Sequence, residues 1–253
     1  VHVRYDRCPA QQRSLHAGKE GYPTLGFQFH CGHNRYVYYV SEAFPGARND
    51  KAIVRFDTFL DDLVEKPELA SYNYTLRTRS GGNDIWRGLW ALCDGGYHKW
   101  AHTICGMKHA DELEWKAWSG LCESTRKDVE CVFGILKKRF QVLKNATLVA
   151  DAASCEITIK MCTILHNMLL VRTGAAEHGG LEEHWKKVDD TEARSFGFHL
   201  PHLFATFTVG SMAVDDEEED VDVGFDAKRQ ALLDHYVTEL GEGNIDTLAP
   251  VNA

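Results

Sequence analysis

The hydrophobic period changes along this 253-residue chain, and the change limits the folds open to it. Over roughly the first forty residues apolar side chains recur at every second position, which puts them on one face of a strand. After residue 124 they recur every three or four positions, the spacing of a helix stripe. A chain that reads as strands, a helix, a further strand and then helices has to bury a sheet under helices. The expected class is α/β, with one mixed sheet flanked by helices.

Residues 1–5 alternate and are expected to form the end of a strand. Residues 24–30 alternate again, with Leu25, Phe27 and Phe29 on one face. Gly32-His33-Asn34 then supplies a turn, and residues 36–40 a return strand, so a hairpin is predicted. Pro45-Gly46 breaks the chain, and Asn49 is placed to cap a helix over 50–65 carrying Ile53, Phe56, Leu60 and Leu63. Residues 75–84 read as a polar linker. The run Leu89-Trp90-Ala91-Leu92-Cys93 reads as a buried strand that stops at Asp94-Gly95-Gly96.

Thr125 with Asp128 three residues on resembles a capping box for a helix over 125–143, with core stripe Val129, Val132, Phe133, Leu136, Phe140 and Leu143. A second helix is predicted over 152–170, carrying Ile157, Met161, Ile164, Leu165 and Met168. Beyond Gly174 loops are expected, then a solvated acidic run over 215–222 and an amphipathic helix over 226–240 with Leu232, Leu233, Tyr236 and Leu240. This divides the chain into a domain over 1–172 and an acidic, partly disordered extension over 173–253.

Charge supports that division. The whole chain has 28 Lys and Arg against 37 Asp and Glu, a net of −9 that on its face speaks against a nucleic-acid binder. Yet residues 1–150 hold 21 basic and 17 acidic residues, whereas 151–253 hold 7 and 20. A mildly basic body therefore carries an acidic tail. No apolar stretch approaches the length of a membrane span, and the opening Val-His-Val-Arg-Tyr has no leader character. The eight cysteines stand singly, without a C-x-x-C pair, and are expected to be buried thiols of an intracellular protein. His30, His33, His98, His102 and His109 are read as scattered rather than as a zinc set, and His166 as a core histidine.

Two carboxylates stand out. Asp94 follows a predicted strand and precedes two glycines that let the backbone turn sharply. Glu130 lies early in the 125–143 helix, where Arg126, Gly134, Lys137, Gln141 and Lys144 share its side and the Phe133, Leu136 and Phe140 stripe points away. A carboxylate on a basic face is open to two readings. It belongs to a solvated face of ion pairs, or it is a metal ligand flanked by phosphate contacts.

Asp94-Gly95-Gly96-Tyr97, the block Glu130-Cys131-Val132-Phe133-Gly134-Ile135-Leu136-Lys137-Lys138-Arg139-Phe140, and Leu165-His166-Asn167 resemble signature blocks of PIF/Harbinger-type DDE transposases. Gly18-Lys19-Glu20-Gly21-Tyr22-Pro23 and Phe44-Pro45-Gly46-Ala47-Arg48-Asn49-Asp50 fit the same order, so the similarity spans residues 1–172. The resemblance implies an RNase H-like fold that holds Mg²⁺ or Mn²⁺ on three carboxylates and cuts and joins DNA phosphodiesters. It makes Asp94 and Glu130 catalytic metal ligands, sets Arg126, Lys137 and Lys144 against DNA phosphates, and puts Asp50 beside the site.

The same resemblance places a helical insertion around Trp86, Trp90, Trp100, Trp115 and Trp118, most of them core. It implies transposon-end DNA as partner, a Myb-like DNA-binding protein beside it, a homo-oligomer, and a nuclear location. In that family the first catalytic Asp sits on the first strand, and the alignment puts it just ahead of Val1. Asp6, at the far end of that strand, reads as a surface residue. With two of three carboxylates in the sequence, a second expectation stands beside the first: an inactive transposase-derived interaction protein or degraded copy.

Overall fold

The computed structural model describes residues 1–145, 151–174, 205–207 and 222–243. From the N-terminus come β1 (His2–Arg4), α1 (Arg13–His16), β2 (Thr24–Gly26), β3 (Phe29–Cys31), β4 (Val37–Val40) and β5 (Phe44–Pro45). Next are α2 (Asp50–Val54), α3 (Thr58–Glu65), α4 (Pro67–Ala70), β6 (Asn73–Arg77), β7 (Asn83–Arg87), β8 (Ala91–Leu92) and β9 (Thr103–Ile104). Then follow α5 (Leu113–Arg126), α6 (Asp128–Arg139), α7 (Gln141–Lys144), α8 (Ala152–Arg172), β10 (Ala205–Phe207) and α9 (Val223–Gly241). The class is mixed α/β, as expected.

The main sheet has five strands in the order β4-β3-β10-β8-β9. β10 pairs antiparallel with β3, Thr206 opposite Cys31, and parallel with β8, Thr206 opposite Leu92. A smaller sheet, β1-β2-β5, is antiparallel, and β6 with β7 makes a separate hairpin.

Alternation along the strands puts helices on both faces of the main sheet. Phe29 and Cys31 share a core with Val129, Val132 and Leu136 of α6 and with Cys155, Ile159 and Cys162 of α8. Between them, His30 points the other way, to Asp57 and the Phe59 ring at the start of α3. In β8, Ala91 packs with Leu60 and Leu63 of α3, whereas Leu92 packs with Trp118 of α5 and Phe225 and Leu233 of α9. All eight cysteines are free thiols, seven of them buried.

Several expectations are corrected. The predicted strand 24–30 is two strands: Phe27 still bonds Val1 beside β1, but Gln28 exchanges bonds with Ser41 beyond β4. One alternating run thus serves two sheets. The predicted helix 50–65 breaks at Asp57, whose backbone is extended and whose Oδ1 accepts from Phe59 N at 3.0 Å and Leu60 N at 3.4 Å to start α3. Asn49 caps α2 as predicted, accepting from Lys51 N at 3.0 Å.

The 75–84 linker is the β6–β7 hairpin, turned at Gly81 with φ +83°. Its Arg77 pairs with Glu239 on α9 and with Glu242 just past its end, and Arg79 with Glu114 on α5 and Asp234 on α9. Thr125 does not cap a helix: it is buried in the last turn of α5, and α6 starts after Lys127. Residues 205–207, expected as loop, are a central strand. Of the acidic run only Asp222 lies within the described residues, where it caps α9 through Gly224 N at 3.1 Å.

The Leu165-His166-Asn167 block fastens α8 to the β3–β4 hairpin. Asn167 Nδ2 donates to Val37 O at 2.7 Å and its Oδ1 accepts from Val37 N at 3.0 Å. His166 is fully buried, with Nε2 3.0 Å from Arg35 O and Nδ1 2.9 Å from an Arg139 nitrogen. A neutral ring fits both contacts, Nε2–H donating to the carbonyl and Nδ1 accepting from Arg139. Burial first, and then the Arg139 charge, lower its pKa to about 4.

That shift has a pH signature. The unfolded chain takes up a proton near pH 6.5, which folded His166 refuses until about pH 4, so stability present above 6.5 is lost as pH falls between those values. The loss runs to about 1.4 kcal/mol per pH unit. Denaturant midpoints measured from pH 7 to 4.5 should fall accordingly, and His166→Gln should flatten part of the slope.

Candidate active site

Asp94 lies two residues past the end of β8 and is half-exposed. Its Oδ1 accepts from Gly96 N at 3.0 Å and its carbonyl from Tyr97 N at 3.1 Å, so Asp94-Gly95-Gly96-Tyr97 is a turn folded around its own carboxylate. Buried Tyr97 anchors the turn in the core with Leu60, Leu63 and Cys93. A Cβ on Gly95 would come within 3.0 Å of Lys108 Cε, so the glycine is what lets that side chain lie across the turn.

Glu130 is exposed in the first turn of α6, and its Oε1 accepts from an Arg126 nitrogen at 3.2 Å. Arg126 itself is buried at the C-terminus of α5 and is held from the other side by Glu123, through Nε at 3.0 Å and a second, shorter bond. Burial works against the guanidinium charge. Pairing with Glu123 and the fields of Asp94 and Glu130 outweigh it and hold the Arg126 pKa above its ordinary value. Asp94 on the β8 turn and Glu130 on α6, 36 positions apart in the sequence, therefore act on one buried cation.

Lys137 is partly buried, its stem bordering Val1, Val3, Phe29 and Phe133, while Lys144 on α7 is exposed. Gly134, one turn after Glu130, is exposed with open space where a Cβ would go. Asp50 opens α2, and its side chain lies outside the described residues. Asp6 is an exposed partner of Arg4 at 2.6 Å, as a surface residue should be.

Asp94 and Glu130 offer the carboxylate oxygens that a hard divalent cation takes. Among the described residues, no group of three or more His, Cys, Asp or Glu is placed to hold a metal ion. The cation in the field of both carboxylates is Arg126.

Sequence analysis missed Glu123 and Lys108 in this cluster. The spacing Glu123-x-x-Arg126-x-x-x-Glu130 carries the signal for Glu123, but starting the helix at Thr125 left Glu123 outside it. Lys108 reaches the site from the segment after β9, a placement no periodicity records. Two buried pairs were also missed, His30–Asp57 at 2.7 Å and Arg35–Asp128, the latter joined by His33 at 2.6 Å.

Compared with known families, residues 1–176 match the model for plant transposon proteins. No curated protein and no solved structure matches the chain. The matched segment covers more than half of the sequence and takes in Asp94, Arg126, Glu130 and the α8 block that fastens the hairpin. The chain belongs to the plant transposon protein family.

Proposed function

We propose that this chain carries the catalytic domain of a PIF/Harbinger-type DDE transposase, an RNase H-like fold that cuts and joins DNA phosphodiesters. The observation that carries the proposal is that Glu130 on α6 pairs with the buried Arg126 at 3.2 Å while Asp94, past the end of β8, adds its field to the same guanidinium. The sheet supports it: Asp94 stands beyond the carboxyl end of a parallel strand, where open α/β sheets present ligand groups.

Bound by Asp94 and Glu130, Mg²⁺ or Mn²⁺ would polarise the scissile phosphate and activate a water or 3′-hydroxyl. Two carboxylates with phosphate and water completing the shell suit Mg²⁺. Arg126 would then release Glu130 while Glu123 keeps it in place. Lys137 on α6 and Lys144 on α7, beyond the break at Phe140, would neutralise DNA phosphates, and the bare flank at Gly134 leaves room for the backbone beside Glu130. Phosphate contacts carry no sequence information, so a Myb-like partner in the nucleus would select the transposon ends.

A second reading, a DNA-binding transposase derivative without cleavage, is favoured by the lack of a carboxylate trio among the described residues and by the Arg126–Glu130 ion pair. Incubation with supercoiled DNA and Mn²⁺ separates the two. The catalytic reading expects nicking that Glu130→Gln abolishes, whereas binding without nicking at any Mn²⁺ concentration supports the second. In either case Lys137→Ala with Lys144→Ala should weaken DNA binding and flatten the plot of log affinity against log salt by about 2. An unchanged slope would remove both lysines from the interface.

A further inference from the structure

Helix α8 is apolar on both sides, and the described residues bury only one of them. Its inner face, with Cys155, Ile159, Cys162 and Leu170, is buried. Ile157, Met161, Ile164, Leu165 and Met168 are the apolar residues by which the sequence predicts this helix. The structure turns their side outward: Ile157 is 64% exposed, Met161 51%, Ile164 52%, Met168 61% and Val171 55%. The reason lies in the polar residues of the inner face, His166 buried and Asn167 at its edge, whose bonds to Arg35 and Val37 fix which way the helix faces.

The outward residues are spaced four, three, four and three apart, the heptad spacing of a coiled-coil seam. A helix apolar all round is a buried helix. By length and composition α8 could cross a membrane, but its inner face is tied to β4 by hydrogen bonds and to the α6 core. Side chains this exposed present on the order of 600 Å² of apolar surface, near the roughly 800 Å² per partner of a standard interface.

We infer that the outer face of α8 pairs antiparallel with α8 of a second copy of this chain. One register sets every seam residue of one spacing class against the other: Met161 opposite Ile164, Ile157 opposite Met168, and Ser154 opposite Val171. In that register the exposed Arg172 at one end comes beside the exposed Asp151 at the start of the other copy, an ion pair repeated at both ends of the twofold. A parallel pair would leave Arg172 and Asp151 at opposite ends of the seam, with no such ion pair. Antiparallel alignment also opposes the two helix dipoles.

Sedimentation or light scattering of the whole protein at tens of micromolar should give a dimer. Met161→Glu with Met168→Glu should weaken association by about 100-fold or more, while circular dichroism, and the melting temperature at concentrations low enough for both proteins to be monomeric, stay close to wild type, because both positions are exposed in the monomer. A chain with Ile157→Cys mixed with one carrying Met168→Cys should form a disulfide-linked heterodimer, which neither forms alone. The pairing is overturned by a monomer at that concentration, which would leave the seam to this chain's own residues or to another protein. It is equally overturned by a dimer that survives the double Glu substitution, or by self-crosslinking of Ile157→Cys alone, the mark of a different register.

Discussion

Asp94→Asn and Glu130→Gln should each lower metal-dependent DNA cleavage by about a thousandfold or more, with little change in folding. Each swap keeps side-chain volume and removes the charge that a divalent cation needs, and a metal's stabilisation of phosphoryl transfer amounts to several kcal/mol. The folded state has little at stake at either position. Glu130 is exposed, and Arg126 keeps Glu123 when Glu130 loses its charge. Asn at position 94 retains an oxygen for Gly96 N. Cleavage rates in Mn²⁺ with melting temperatures alongside would check this. Full cleavage in either variant removes that residue from the catalytic role.

The second large effect is on stability. Asp128→Ala should destabilise the fold by about 3–5 kcal/mol, the usual cost of breaking a buried ion pair from one side. Arg35 is fully buried in the β3–β4 turn with φ +64°, an uncommon conformation for a residue with a side chain, and its guanidinium bonds the Asp128 carboxylate. His33 bonds the other oxygen at 2.6 Å. Without Asp128 a buried cation loses its carboxylate, and a loss of this size is a large share of the roughly 5–15 kcal/mol of a typical domain. Replacing both partners, as Arg35→Met with Asp128→Leu, should recover much of it. Urea titration distinguishes the cases: a loss under about 1 kcal/mol for Asp128→Ala would mean the pair is solvated after all.

Which parts of this were readable in advance follows from the range of the interactions involved. Asn49 as a cap, the β3–β4 hairpin and the strand before Asp94 rest on local spacing, and local spacing revealed them. β9 has two residues, too few to show a period, and left no trace. β10 takes its place between β3 and β8 by backbone pairing across more than a hundred residues of sequence.

Asp57 and Asp128 look like ordinary surface acids in the sequence. Their roles depend on His30 and Arg35, partners 27 and 93 positions away. For α8, both faces are apolar, so periodicity could not say which one turns inward. Hydrogen bonds from His166 and Asn167 decided it. Asp94 and Glu130 were singled out from sequence, but that both their fields act on Arg126 emerges only from the fold.

Mn²⁺ titration of the folded protein, followed by calorimetry or by loss of the free-ion resonance signal, tests the central claim most directly. The claim predicts a bound Mn²⁺ whose affinity falls at least about tenfold in both Asp94→Asn and Glu130→Gln, with both variants still folded. Equal Mn²⁺ affinity in the wild type and the two variants would contradict it. Glu130 would then be no more than a partner of Arg126, and Asp94 no more than the carboxylate that folds its own turn.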